Sequence, residues 1–406
     1  MSSLINQKIK DTYDGLIKTS DEQPIDGTLK NLQDGNGGVL PIQVSTGGVN
    51  FTGTVTGLPA SGAGLINGSS ADTLQSAAAL TTTAAVTTGI DAIALGNGAA
   101  ADAEAVAIGK STSTTNGNGV AIGNNANGGE QAVGIGKNAN ASTKSAIAIG
   151  TDATANNLQS IAIGQDSDMT GAYGIAIGKT AQATGEQAIV LGSDTTASAS
   201  LSLAVGYSAE ATSERNVALG YDAVAGGDQA FARQNTAIGS ATIANNEQDT
   251  AVGAGATATG SRSTAIGAGA DATGSRAVVV GSESSATAFS SCVFGAFSTA
   301  TAEGATVVGG YGSSATAVDA IAVGKEADAT AIGAIAIGKL AQATVDGAVA
   351  IGSGVNAVTA DTVTINNLQI LDYANINYAD DAAAATGGIP LGGVYHTSGA
   401  LKIRIA

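Results

Sequence analysis

The residues of this chain that could do chemistry are few, and none stands in a pattern that completes a reaction. His396 is the one histidine and Cys292 the one cysteine. No nucleophile is therefore paired with a base, and neither an intrachain disulfide nor a cysteine-based zinc site can form. In a threefold assembly, copies of His396 could share one ion, because imidazole suits zinc or iron. Beside the turn residues at 397–399 it reads instead as a surface side chain, and no metal or cofactor is expected. Asp166, Asp168, Glu210 and Asp271 offer the carboxylates that a glycosidase uses in pairs. They fall in polar positions that most of the chain's charges share, so they read as solvated surface. No catalytic residue is predicted, and the protein is not expected to be an enzyme. Binding chemistry remains. Tyr207, Tyr221, Phe231 and Arg233 gather around one irregular interval of a chain with only 3% aromatic residues, and together they could form a platform for a sugar. Tyr395, His396, Lys402 and Arg404 gather near residue 406. Phe297 with Tyr311 is a lesser cluster.

What must position these residues is a repeat. Nineteen glycines, from Gly96 to Gly352, each close a short apolar run, and 14 of the 18 intervals between them are 14 residues long. Two intervals are 13 residues, one is 15, and one, 221–239, is 19. A fixed period of this kind marks a solenoid, and insertions in a solenoid map to surface loops. The 19-residue interval is thus the expected binding loop. The four prolines, Pro24, Pro41, Pro59 and Pro390, all lie outside the repeat, as strand ladders that need every backbone N–H require.

With the recurring glycine as column fourteen, residues 179–192 read KTAQATGEQAIVLG and 339–352 read KLAQATVDGAVAIG. Columns three and five are small and columns two, four and six are polar, which predicts a strand with one small apolar face and one wet face. Columns eleven and thirteen are mostly Ile, Val, Leu, Thr or Phe, with column twelve usually Ala or Val, and a strand apolar on both faces must be covered on both sides. The coil's own interior covers one side. A 14-residue coil has nothing left for the other, so a second copy of the chain must supply it. Cys292 is expected to be a small buried hydrophobe of that run. The threonines of column six, such as Thr184 and Thr344, form a single rank that β-propensity explains. Turns rich in Asn and Asp lack the carboxylate stacking of calcium-binding repeats, and no glycine string sits between a strand and a helix as a nucleotide loop would.

The pattern in residues 175–188, IAIGKTAQATGEQA, and less completely in 335–345, resembles the YadA-like head repeat of trimeric autotransporter adhesins. That resemblance implies a parallel β-roll, a homotrimer and an attachment role. Residues 1–60, with LQDGNG and LPIQVSTGGVNFTGTVTGLP, resemble N-terminal segments of tailed-phage fibres, and 377–406, NYADDAAAATGGIPLGGVYHTSGALKIRIA, resemble a phage-fibre tip.

These readings give an all-β protein: a parallel β-roll solenoid of about nineteen fourteen-residue turns, trimeric, with small β domains at each end. Residues 1–60 are read as a virion-attachment domain and 61–82 as a connector, partly helical over 71–80. The shaft spans 83–352, a cap or neck 353–377, and the tip 378–406, with a short helix over 378–386 and a hairpin over 393–406. The net charge of −17 argues against nucleic acid and anionic lipid as partners. No apolar run is long enough to cross a bilayer as a helix, and no secretory leader is visible at residues 1–24. The expected function is a structural phage fibre on the virion surface, made in the host cytoplasm. It would bind phage tail or capsid proteins through its N-terminus and a host cell-surface glycan or protein at its far end. The alternatives are a capsid-attached decoration fibre and a bacterial trimeric adhesin passenger, the latter disfavoured by the missing leader.

Overall fold

The computed structural model describes residues 85–227, 233–366 and 373–405, together with the strands Lys18–Thr19, Lys30–Gln33, Val39–Ser45, Gly48–Phe51, Leu65–Asn67 and Leu74–Ser76. The repeat winds into a parallel β-solenoid of about 20 turns. Each coil contributes one strand to each of two sheets. In a representative coil the three-residue strand Ile175–Ile177 is followed by a turn, the two-residue strand Gln182–Ala183, and a second turn into Ile189–Leu191. Ile175 pairs with Ile189 and Ile177 with Leu191, while Gln182 pairs with Thr196. Every column therefore stacks on its own copy in the next coil.

The core is thin and made mostly of alanine. Ala176, Val190 and Ala204 point inward from one sheet and Ala181, Ala183 and Ala197 from the other, all with 0% exposure. Little more than a methyl group fits between sheets joined by such short turns, and interiors tolerate no mismatch of volume. Met169 illustrates this. It fills a position where other coils carry alanine, and Gly174 stands where the next coil has Ala188. A Cβ on Gly174 would lie 2.3 Å from the Met169 Cε, so the large residue is matched by a missing methyl.

Both turns use the left-handed region, as at Thr180 (φ 52°) and Gln187 (φ 57°). Short polar residues and glycine carry most of these positions, as that region favours. The recurring glycine has a stricter reason. Gly178 has φ +144°, and a Cβ there would lie 2.0 Å from the carbonyl oxygen of Gly192 one coil on. No side chain of any size is compatible with that approach.

The departures from regularity are local. Val217–Leu219 pairs with Thr236–Ile238 and Val224–Ala225 with Ile243–Ala244, so both sheets continue in register across the long interval. Beside it, the buried column ten turns polar. Asn235 N–H donates to Asn216 Oδ1 (2.9 Å), Asp249 N–H to Asn235 Oδ1 (2.8 Å) and Ser263 N–H to Asp249 Oδ1 (2.9 Å). A register shift between Phe294 and Ala296 moves the stacking role from Gly309 to Gly310, whose Cβ would meet Gly324 O at 2.4 Å. Cys292 begins the strand Cys292–Ala296 on its outward face, half-buried, while Val293 points into the core; the expectation of a buried cysteine is corrected accordingly. The roll continues one turn beyond Gly352, through Asn356–Ala357 and Val363–Ile365. At its other end Leu74–Ser76 is a strand, not helix, because it pairs with Leu65–Asn67 and with the open edge at Ile93–Leu95. Pairing with an edge outweighs the helix propensity of the alanines around it.

In the tip, the helix Asp381–Thr386 is capped by Asp380, whose Oδ1 accepts from Ala383 N–H at 2.8 Å. The strands Val394–Thr397 and Ala400–Ile403 form an antiparallel hairpin.

Candidate functional site

The solenoid presents two contrasting outer faces. On the sheet of three-residue strands one outward column is apolar in every coil: Ile177, Leu191, Leu219, Ile266, Val280 and Phe294 are each between 37% and 45% exposed, while the other is apolar except at Thr236, Thr250, Thr264 and Thr306. Both stack in register from coil to coil, and the first forms a continuous apolar ridge. Scattered apolar residues on a surface need no explanation, but a contiguous stripe of this extent marks an interaction face. On the opposite sheet the outward column is polar, with Asn140, Gln182, Thr196 and Glu210 among its members.

A family model for the YadA head domain repeat matches the chain at 83–99, 88–105, 103–126, 128–153, 144–167, 170–195, 244–270, 258–284, 310–327 and 329–354. The chain carries YadA head domain repeats. The matches leave out 196–243 and 285–309, which hold the 19-residue interval and the register shift between Phe294 and Ala296. The YadA repeat is thus interrupted where this chain inserts residues or changes register. No curated protein matches the chain.

The candidate receptor residues are only partly brought together. Tyr207 and Tyr221 stack at 5.6 Å between ring centroids with an interplanar angle of 15°. Both are about half exposed on the turn that follows the recurring glycine. The neighbouring Asp222 carboxylate raises the Tyr221 phenol above its usual 10. Arg233 lies on the other turn of the coil, 3.8 Å from Glu214, which also contacts Arg215 at 3.3 Å. One edge of the roll thus holds the tyrosine pair and the opposite edge holds Arg233, so a single platform built from both does not form. Phe231 falls outside the described residues. Phe297 and Tyr311 also pair, at 4.8 Å, with the Lys325 ammonium 6.0 Å from the Tyr311 ring. That ring is held between its two neighbours in the stack.

At the tip, Tyr395 and His396 are internal rather than surface residues. Tyr395 is 2% exposed and its hydroxyl donates to Asp381 Oδ1 at 2.5 Å. This hydrogen bond, with burial, pushes the phenol up to about 12. The other Asp381 oxygen accepts from Ile405 N–H at 3.0 Å, so one carboxylate ties the helix to the first strand of the hairpin and to the segment just past the second. His396 is 5% exposed and its Nδ1 accepts from Gly399 N–H at 3.3 Å. The surface position expected for it is corrected: the hairpin folds it inward against residue 377, with which it forms a bridge. Arg404 is half-buried and donates to Ile389 O at 2.6 Å. Lys402 is exposed. Sequence reasoning also missed an apolar tip surface, Val394, Leu401, Ile403 and Ile405, each at least 46% exposed. The alternation in VYHTSGALKIRI carried that signal.

Among the described residues no group of His, Cys, Asp and Glu is arranged to hold a metal ion. Asp166 and Glu210 are solvent-exposed. Burial raises Asp168 and Asp271 above the ordinary 3.8. It raises Asp249 too, although hydrogen bonds from Ser263 and Asn246 pull that carboxyl back in part. A raised native pKa means that the folded chain binds protons more tightly than the unfolded one. Stability from these three groups is therefore lost as pH rises through the window above 3.8. The thermal midpoint is expected to rise on acidification from pH 7 towards about pH 5, helped by relief of the −17 net charge. A midpoint that falls over this range would contradict it.

Proposed function

We propose that the protein is the homotrimeric structural fibre of a tailed-phage virion, anchored through its N-terminal segment and mediating attachment to the host surface without enzymatic activity. The observation that carries the assembly is the pair of apolar outward columns on one sheet. The column of Ile177 and Leu191 runs the length of the repeat, the other is broken only by Thr236, Thr250, Thr264 and Thr306, and neither is covered among the described residues. Three copies packed on these columns bury them about a common axis and leave the polar sheets outside, which accords with the trimeric adhesins that the repeat resembles. Stacking at about 4.8 Å per coil makes the roll a rod on the order of 90 Å long. Such a rod holds its far end away from the particle, and three identical ends raise avidity for a repeated surface ligand without any new contact. The fibre role rests on the resemblance of residues 1–60 and 377–406 to phage-fibre segments. Phage tail or capsid proteins are the proposed partners at the N-terminus and a host glycan or protein at the far end, where Lys402 and the apolar tip surface are the exposed candidates.

The YadA repeats themselves also suit a bacterial adhesin passenger. Antibody labelling in electron micrographs separates the readings: label is expected on phage tails, with purified protein binding host cells. Label on capsids with no cell binding favours a decoration fibre. Label on bacterial surfaces and none on virions overturns the phage reading.

A further inference from the structure

We propose that the polar sheet near the start of the roll carries a binding groove for a neutral oligosaccharide, formed by two parallel ladders of asparagine. The groove is an open depression of about 610 Å³ that spans four coils between residues 111 and 154. One ladder runs Asn125–Asn138–Asp152, with Asn125 Nδ2 donating to Asn138 Oδ1 (3.1 Å) and Asn138 Nδ2 to Asp152 Oδ1 (2.7 Å). The second runs beside it, with Asn127 Nδ2 donating to Asn140 Oδ1 at 3.2 Å. A carboxamide has two donors and two acceptor lone pairs, and the ladders use only part of that capacity. Asn138 keeps one N–H and one lone pair, and both N–H groups of Asn140 are free of partners among the described residues. Asn127 Oδ1 is shielded from solvent and also has no hydrogen-bond partner.

The groove therefore offers rows of donors and acceptors in alternation, fixed by the coil spacing of about 4.8 Å. Sugar hydroxyls, each able to donate and accept, are the complement of such an array. The lining contains no Lys or Arg and one carboxylate, Asp152. That disfavours phosphate, sulfate or sialic acid, and a single acid is too little for a divalent cation. The polar lining equally disfavours an apolar peptide. Along the second ladder's column the asparagine pairing stops, as the next coils bring Thr154, Asp168 and Gln182. The groove lies on the sheet opposite the apolar columns, so assembly through those columns leaves it open. The proposal is independent of the phage-fibre reading.

The test uses the full chain and a panel of neutral gluco-, manno- and N-acetylglucosamine oligosaccharides, with sialylated and sulfated oligosaccharides as the anionic arm. Calorimetry is expected to detect binding of at least one neutral member. Asn127→Ala combined with Asn140→Ala should weaken it at least tenfold while the circular dichroism melt is kept. If that variant fails to fold, Asn140→Thr, which copies the residue one coil on, replaces it with the same expectation. Lys402→Ala and the pair Tyr207→Ala and Tyr221→Ala should bind as the parent does. The proposal is overturned if the folded parent binds no neutral member at millimolar concentration, if anionic members bind more tightly, or if the groove variant binds unchanged. Loss of binding in the tip or tyrosine variants alone would also overturn it, while leaving the attachment reading standing.

Discussion

Replacing Gly178 by alanine is expected to unfold part of the roll, whereas Gly255→Asn is expected to leave it intact. Both glycines have positive φ, at +144° and +66°, so a simple glycine rule would predict similar costs. The surroundings differ. A Cβ on Gly178 would sit 2.0 Å from Gly192 O and 2.5 Å from its carbonyl carbon, while one on Gly255 would meet nothing within 4 Å. The clash at Gly178 is with backbone, which can move only by breaking the ladder between Ile177 and Leu191. Dihedral strain alone is of order 1–3 kcal/mol. With the displaced ladder bonds, about 1 kcal/mol each, the total should exceed about 3 kcal/mol. At position 255 asparagine adopts the left-handed region readily, as Asn125 and Asn138 do in the same column (φ 58° and 55°). Thermal unfolding followed by circular dichroism, with limited proteolysis near residue 178, is the measurement. Equal midpoints for the two variants would refute the stacking account of the repeat glycine.

The glycine contrast also separates what could be read in the sequence from what could not. Period, strand columns and the one-sided wetness of columns two to six were legible because each depends on a residue and its copies one coil away. A fixed period turns one coil into all of them. Features that depend on two different columns were not legible. Tyr221 and Arg233 lie within one interval, yet the coil places them on opposite edges, because sequence proximity in a roll spans half its circumference. Cys292 reads as apolar core in a run such as SCVFG, and only the alternation within the strand puts Val293 inside and Cys292 outside. The choice between Gly309 and Gly310 turns on a register shift that neighbouring strands decide. Tyr395 and His396 look like surface residues in a hairpin, but the helix Asp381–Thr386 covers Tyr395 through Asp381. The asparagine ladders were visible only as turn-forming residues until the coils aligned them.

Ile177→Asp is expected to abolish assembly while leaving the single chain folded. Ile177 is 37% exposed at the outer end of its strand, and its neighbour Ala176 is fully buried. In a lone coil an aspartate at position 177 stays solvated, and its cost is a β-propensity term of at most about 1 kcal/mol. In a trimer closed on the apolar columns the same change buries three carboxylates at equivalent positions. Each loses hydration and faces like charges, a penalty of several kcal/mol per group. The effect should therefore appear in association rather than in the fold. Native mass measurement of the parent is expected at three times the 38.8 kDa of one chain, and of the variant at 38.8 kDa, with the circular dichroism spectrum retained. Lys179→Asp, on an exposed turn two residues away, should change neither mass nor stability beyond about 0.5 kcal/mol. Ala176→Asp should instead destroy the fold itself, because its side chain points between the sheets. A parent that runs as a monomer, or an Ile177→Asp variant that keeps the parent's mass, would remove the apolar columns as the assembly face.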